Sequence, residues 1–203
     1  MMTLNNDRTK ECINFFKKNA YDVLDPDGRF NFWIAGGSIK DYFFKTKIKD
    51  FDLFFPNQLE MEKMLNHFKD RNEVKFEVDK VANIVIKGRV YQIVKKNFFQ
   101  DPIDTISNFD FTVCCGAVDR ENFYCDDNYF IDLASKKLMV NNLTFPVDSI
   151  RRMQKYIKKG FSICNNQISE IAIAVSRLEL HKENKDINGN VVQNANLTFY
   201  RVD

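Results

Sequence analysis

Two hydrophobic periodicities alternate along this chain and predict a mixture of helices and strands. Apolar residues recur every three to four positions over residues 8–21 and 57–70, the spacing of a helix with one buried face. Short apolar runs at 31–36 and 50–55 are bounded by turn residues, as buried strands are. A short amphipathic helix is predicted over 38–45, between these two strands. The pattern therefore predicts an α+β fold.

The middle of the chain adds further elements to this pattern. Residues 75–96 indicate strands paired around a turn at 87–89. A short helix is predicted after Pro102, and an apolar strand over 109–119. Residues 128–142 suggest a strand, a turn and a short strand. These segments add strands to the sheet that the first part of the chain begins.

The length and composition are those of one globular domain with an extension. The chain has 203 residues, of which 44% are hydrophobic and 29% charged. We expect a mixed sheet flanked by helices over residues 1–146, followed by a short helical extension and a polar tail over 147–203. The tail is predicted either to form a hairpin around Asn188-Gly189 or to be loose. No apolar stretch is long enough to span a membrane, and the N-terminus does not resemble a signal peptide, so a cytoplasmic location is expected.

Cysteine spacing and net charge exclude some classes of function and leave others open. The five cysteines lack the paired spacing of a zinc site and are expected to be reduced thiols. The net charge of +2 neither requires nor forbids a nucleic-acid partner, because basic residues are concentrated locally at 45–49 and 151–160. The sequence leaves the oligomeric state open.

Asp50 and Asp52 stand one residue apart within an apolar strand. Side chains two positions apart in a strand point to the same face, so the two carboxylates are expected to lie close together and to repel each other when ionised. Three interpretations follow: a shared proton, a bound divalent cation such as Mg²⁺, or an exposed pair at a sheet edge. The pair by itself favours the exposed pair at a sheet edge.

A glycine-rich turn precedes this pair. Gly36, Gly37 and Ser38 lie between a predicted strand and a predicted helix. Glycines allow close approach of a phosphate, and a helix N-terminus offers unpaired N–H groups to an anion. The alternative is a tight turn that requires a positive φ angle. Combined with the carboxylate pair, the turn indicates a site for a metal ion and a triphosphate.

Asp110 is a candidate third carboxylate, because it also lies within an apolar segment. If that segment paired beside residues 50–55, three carboxylates could hold two metal ions for phosphoryl or nucleotidyl transfer. The alternative is an aspartate that accepts hydrogen bonds from backbone amides. The sequence favours neither interpretation.

The segment AGGSIKDYFFKTKIKDFDLFF resembles the head-domain motif of class II tRNA nucleotidyltransferases (CCA-adding enzymes) and bacterial poly(A) polymerases, members of the DNA polymerase beta-like nucleotidyltransferase superfamily. The resemblance extends in order over residues 30–163. It includes Asp110 with the Phe-Thr that follows, and the Pro, Arg and Gly-Phe of a segment over 145–161. It implies a nucleotidyltransferase head domain over 1–146 and a neck-like extension over 147–203.

The resemblance also implies roles for individual residues. Asp50 and Asp52 would bind Mg²⁺ or Mn²⁺ and act in catalysis with Asp110, which would complete the carboxylate cluster or lie near the ribose. The nucleotide would be bound by a set of residues from the glycine turn, the helix after it and the neck-like segment: Gly36, Gly37, Ser38, Lys40, Asp41 and Arg151.

Several positions depart from the family pattern. Asn108 and Phe109 replace two arginines, Cys114 replaces an asparagine, and the Glu-Asp-x-x-Arg element that selects the base has no match. The resemblance implies transfer of NMP from an NTP to a hydroxyl, most simply an RNA 3′ end, with release of pyrophosphate. A protein or small-molecule hydroxyl is an alternative acceptor, and a catalytically inactive nucleotide- or RNA-binding module is an alternative function.

Overall fold

The computed structural model describes residues 1–4 and 6–178, together with the backbone of 184–185 and 191–192. It confirms the predicted α+β class, with a mixed sheet of eight strands flanked by helices. The turn proposed at Asn188-Gly189 lies outside the described residues, although the short strands on either side of it pair antiparallel.

Eight α-helices are found in the described residues, and a π-helical turn at Lys17–Tyr21 joins the first two. They are α1 Asp7–Phe16, α2 Asp22–Leu24, α3 Gly37–Phe43, α4 Gln58–Asp70, α5 Pro102–Ser107, α6 Tyr129–Ser135, α7 Pro146–Ile157 and α8 Asn165–Ser176.

The strands form one large sheet and one small pair. They are β1 Met2–Leu4, β2 Trp33–Ala35, β3 Asp50–Phe54, β4 Val74–Glu77, β5 Val81–Ile86, β6 Arg89–Val94, β7 Gly116–Val118, β8 Phe123–Cys125, β9 Asn184–Lys185 and β10 Val191–Val192. The large sheet has the order β1-β8-β7-β2-β3-β6-β5-β4, in which β3 and β6 run parallel and the other neighbours antiparallel. Helix α4 and the strands β4 and β5 connect the parallel pair.

Local sequence explains why the helices begin where they do. Asn57 precedes α4, and its side chain accepts a hydrogen bond from the backbone N–H of Glu60, which satisfies one of the free donors at the helix start. Helix α5 begins at Pro102, where a missing N–H does no harm, after an Asp101 cap. One face of α4 is buried at helical spacing and packs into the core, through Met61, Met64, Leu65 and Phe68.

The alternation along β3 divides its side chains between the two faces of the sheet. Phe51 and Leu53 enter the larger core, together with the buried residues of α1 and α4. Phe54 enters a smaller core on the opposite face, where the Trp33 indole donates a 2.8 Å hydrogen bond to Thr105 of α5. Asp50 and Asp52 share the face of Phe54, because strand side chains repeat every two residues. The smaller core therefore ends where the carboxylates begin.

Two predicted strands are wrong. Of residues 109–119, only Gly116–Val118 forms a strand, after a 3₁₀ turn at Thr112–Cys114. The segment 128–142 contains α6 in place of a strand and turn. Its aromatic run favours a strand locally, but burial of Tyr129 and Leu133, four residues apart, stabilises a helix.

No helix among the described residues is long and apolar enough to cross a membrane. The boundary at residue 146 stays a prediction.

We expect Gly116→Ala to destabilise the fold, because a Cβ atom there would lie 2.8 Å from the ring of the buried Tyr129. Overpacking of this kind lowers the free energy of unfolding by about 1–3 kcal/mol. Urea unfolding measures the loss. Gly37→Ala is the matched control, because no atom lies within 4 Å of its added methyl group. Equal stability of the two variants would contradict the packing at Gly116.

Candidate active site in a basic cleft

A cleft of about 620 Å³ opens between the start of β3, the helix α3 and the helix α7. Seven basic side chains line it, and three aspartates, Asp41, Asp50 and Asp52, are its acidic lining. The basic residues come from separate parts of the chain: Lys40, Lys47, Lys49, Lys136, Arg152, Lys155 and Lys159. This excess of positive charge suits a polyanionic ligand such as a triphosphate.

The structure places Asp50 and Asp52 side by side in the cleft, as the strand spacing predicts. Asp50 is exposed and Asp52 is half-buried. Within the described residues, neither carboxylate has a hydrogen bond or an ion pair. Burial, and then the neighbouring charge of Asp50, raise the pKa of Asp52 to about 7, while Lys155 acts in the opposite direction.

This carboxylate pair fits a divalent cation. Two adjacent carboxylates without internal donors repel each other, and a hard cation that prefers oxygen ligands would remove that repulsion. A third carboxylate is absent, since no group of three or more potential acidic, histidine or cysteine ligands occurs among the residues described. Asp50 and Asp52 are thus the residues that would hold Mg²⁺ or Mn²⁺.

The glycine turn lies beside the carboxylates. Gly36 has a φ angle of +87°, which favours glycine, and its N–H donates a 2.9 Å hydrogen bond to the carbonyl of Gly116. Gly37 lines the cleft, and open space surrounds the position of a Cβ atom there. Ser38 is buried, and its hydroxyl has no hydrogen-bond partner in the described part of the chain. Gly37 thus leaves room in the cleft, while the unused hydroxyl of Ser38 lies outside the residues that line it.

Lys40 and Asp41 also line the cleft and bind each other. The Lys40 ammonium is buried, and it lies 5.9 Å from the ring centre of Phe44 and 5.8 Å from that of Tyr156. The backbone carbonyl of Asp41 accepts a hydrogen bond from the N–H of Thr46, which closes the loop after α3. The pair therefore joins the end of α3 to the helix α7.

Asp110 does not join the carboxylate pair. Its segment is a bend before the 3₁₀ turn, and the strand that follows, β7, pairs with β2 and β8 but not with β3. Asp110 is buried and accepts a 2.8 Å hydrogen bond from Arg152. The arrangement that would have completed a three-carboxylate cluster is therefore not formed. Asp110 instead holds a basic side chain of the cleft.

Helix α7 presents a different arginine from the one that the resemblance implies. Arg151 lies outside the residues that line the cleft and pairs with Asp148 at 3.6 Å. Arg152 and Lys155 line it, because side chains three residues apart share a helix face, and Lys159 lines it from the turn that follows the helix. Burial, followed by the charge of Lys40, lowers the pKa of Lys159.

The sequence does not predict that two further polar residues line the cleft. Gln92 of β6 is the register partner of Asp52, and Lys136 follows α6 in a left-handed conformation with a φ angle of +50°. The segment around Gln92 reads only as one strand of a hairpin, so its approach to Asp52 has no local signal. The basic residues of α7 do have one, since their spacing follows the helical period.

Solved structures similar to this fold include tRNA-processing, tRNA nucleotidyltransferase and CCA-adding enzymes. A tRNA-processing enzyme in an apo form superposes with a TM-score of 0.56 at 14% identity, over 86% of this chain and 49% of that one. The Thermotoga maritima CCA-adding enzyme complexed with tRNA gives 0.54 at 18% identity, over 85% and 43%. A tRNA nucleotidyltransferase complexed with a primer tRNA and an incoming ATP analog gives 0.53 at 16%, over 71% and 46%. These similarities show a nucleotidyltransferase-like fold.

Sequence comparison shows the family. A curated relative, Gabija anti-defense 2 of Bacillus phage SPbetaL7, is 31% identical over 162 residues, which are 77% of this chain and 40% of that protein. This chain thus covers less than half the length of that relative. The family model described as Gabija anti-defense 2 family protein matches residues 7–136, which include the carboxylate pair, the glycine turn and Asp110. The chain belongs to the Gabija anti-defense 2 family.

Proposed function

We propose that this protein is a metal-dependent nucleotidyltransferase, which transfers NMP from an NTP to a hydroxyl acceptor and releases pyrophosphate. The observation that carries the proposal is the cleft itself. It combines two carboxylates that lack internal donors, an open glycine turn and an excess of basic side chains. Each feature meets one requirement of the reaction: cation binding, phosphate approach and charge neutralisation.

Different residues of the cleft have different roles in this reaction. Asp50 and Asp52 hold the cation, which when bound neutralises the triphosphate and lowers the pKa of the attacking hydroxyl. Gly37 leaves space for the phosphates, and the basic side chains of α7 neutralise their charge from the opposite wall. Asp110 holds Arg152 in place on that wall.

Two lines of support bear on the acceptor. Fold relatives have been solved with tRNA and with an ATP analog, which supports an NTP donor and an RNA 3′ hydroxyl. The family name supports a role in countering Gabija defence, in which the modified hydroxyl would belong to an RNA or a protein of that system. Incubation with labelled NTPs, Mg²⁺ or Mn²⁺, and either total RNA or Gabija proteins distinguishes these acceptors by which of them becomes labelled.

One observation favours a second candidate, an inactive nucleotide-binding module. Asp110 is engaged by Arg152, and the carboxylate pair has no third acidic partner among the described residues. Such a module would bind NTP in the same cleft without transferring a nucleotide. Saturable NTP binding with no labelled acceptor and no release of pyrophosphate would favour this candidate over the enzyme.

Asp52→Asn should lower nucleotidyl transfer by at least about 100-fold. Loss of a residue that merely supports a metal ligand already lowers metal affinity or activity by about 10- to 100-fold, and Asp52 is proposed as a ligand itself. Labelled-NTP transfer to the acceptor measures the loss. An Asp52→Asn variant with near-normal transfer would contradict the metal assignment.

The same variant should also change how stability depends on pH. The pKa of Asp52 is raised from 3.8 to about 7 in the folded chain, so the folded state holds a proton that the unfolded state releases. Wild-type stability should therefore decrease as the pH rises from about 4 to about 7, and Asp52→Asn should lack this component. Urea unfolding at pH 5 and pH 8 in EDTA tests this: the advantage of the variant should be larger at pH 8.

Gly37→Val should abolish NTP binding but keep the fold. The Cβ atom of the branched side chain would meet no protein atom within 4 Å, and its methyl groups would fill space in the cleft that the glycine leaves open. For the wild type, an NTP at a hundredfold excess over its dissociation constant should stabilise the fold by about 2.7 kcal/mol. Thermal unfolding with and without NTP and Mg²⁺ measures this. A full ligand-induced shift in the variant would place the triphosphate elsewhere.

Lys155→Ala should weaken NTP binding by about tenfold, as expected for loss of one charge-assisted contact. Lys155 lines the cleft and acts on the pKa of Asp52, whereas Lys158, three residues further along the chain, does not line it. Lys158→Ala is therefore the matched control, with the same change in net charge. NTP titration at two salt concentrations tests the pair, and equal losses would indicate a nonspecific charge effect.

A further inference from the structure

A row of three polar side chains crosses the centre of the sheet at the base of the cleft. Asp52 of β3 is the register partner of Gln92 on the parallel strand β6, and Gln92 is in turn the register partner of Asn83 on β5. Register partners on neighbouring strands lie about 5 Å apart and present their side chains to the same face. Gln92 also lines the cleft. A neutral polar residue therefore stands directly beside the proposed metal ligand.

The contact with Asn83 orients the Gln92 amide. Its Nε2 donates a 3.0 Å hydrogen bond to Oδ1 of Asn83. The oxygen of a side-chain amide lies about 120° from its nitrogen around the same carbon, so Oε1 of Gln92 remains available as an acceptor while Nε2 is bound to Asn83 of β5. Asp52, on the neighbouring strand at the other side of Gln92, is its register partner. A cation between the Gln92 oxygen and the Asp52 carboxylate would satisfy both.

We propose that Gln92 supplies a third, neutral oxygen ligand to the divalent cation held by Asp50 and Asp52, and that Asn83 is a positioning residue that fixes the amide. The inference rests on the proposed metal site. Carbonyl oxygens of amide side chains are ordinary ligands of hard cations. The protein ligands of this site then carry two negative charges, whereas three carboxylate ligands would carry three.

A different orientation of the amide would give a different role. If Gln92 were rotated, its nitrogen would donate to Asp52 and its oxygen would accept from the Asn83 amide. In that arrangement Gln92 would compete with the cation for Asp52. Removing the Gln92 oxygen would then leave metal affinity unchanged or raise it, whereas removal of a ligand lowers it. The change in metal affinity on removing the Gln92 oxygen therefore distinguishes the two arrangements: a decrease indicates a ligand, and no change or an increase indicates a donor to Asp52.

Mn²⁺ binding to the full chain, measured by the loss of the free-ion electron paramagnetic resonance signal, provides this test without any turnover. Gln92→Met keeps the length of the side chain and removes the oxygen, and we expect it to weaken Mn²⁺ binding by about tenfold. Gln92→Glu should bind Mn²⁺ more tightly than the wild type and be less stable without metal, because it adds a third carboxylate beside Asp52. Gln154→Met, on the exposed face of α7, is the matched control.

The positioning role of Asn83 requires a separate measurement. Asn83→Ala should weaken Mn²⁺ binding less than Gln92→Met does, and it should have no further effect when Gln92 is already methionine. An equal effect of Asn83→Ala in both backgrounds would overturn the positioning role. Circular dichroism of each variant shows whether it is folded, and Gln92→Glu tests the ligand independently if Gln92→Met does not fold.

The outcomes separate this inference from the proposed function. Wild-type affinity in Gln92→Met, together with a loss in Asp52→Asn, would overturn the Gln92 ligand and leave the metal site in place. The absence of Mn²⁺ binding in the wild type would overturn both. A loss in Gln92→Met and a gain in Gln92→Glu, with Gln154→Met unchanged, is the result that supports the inference.

Discussion

The parallel pairing of β3 with β6 is the constraint on which the site depends. It places the carboxylate face of β3 at the centre of an eight-stranded sheet, with the antiparallel strand β2 on its other side. Phe51 and Leu53 anchor the strand in the larger core, so the backbone that carries Asp50 and Asp52 is held rigidly. The same pairing brings Gln92 next to Asp52. Because a parallel pair needs a long connection, α4 and the hairpin of β4 and β5 lie between two residues that become neighbours.

Electrostatic balance explains why the rest of the cleft is basic. Two adjacent carboxylates without hydrogen-bond donors are unfavourable, and burial, followed by the charge of Asp50, raises the pKa of Asp52. The lysines of the cleft repel one another in turn, since burial and neighbouring lysines lower the pKa of Lys159. A bound cation beside the carboxylates and a polyanion beside the lysines would relieve both conditions together. The cleft thus has the charge pattern of a site that is more favourable when it is filled.

Structural similarity and family membership support different conclusions about this protein. Similarity to tRNA-processing enzymes, at identities below 20%, shows the architecture. Membership in the Gabija anti-defense 2 family places the chain among proteins named for a role against a defence system. In this chain Asp110 forms an ion pair with Arg152, and a glutamine is the register partner of Asp52. These two features make the metal ligands and the acceptor the most informative properties to measure.

Sequence by itself determined the features that depend on local periodicity. The strand spacing of Asp50 and Asp52, the glycine turn at 36–37 and the helical spacing of the basic residues in α7 all follow from neighbours along the chain. Local patterns misjudged α6, where burial of Tyr129 and Leu133 overrides the preference of an aromatic run for strand. Only the tertiary structure decided that Asp110 pairs with Arg152, that Arg152 and not Arg151 faces the cleft, and that Gln92 lies beside Asp52. Those contacts join residues about 40 positions apart, and strand order and helix rotation set them.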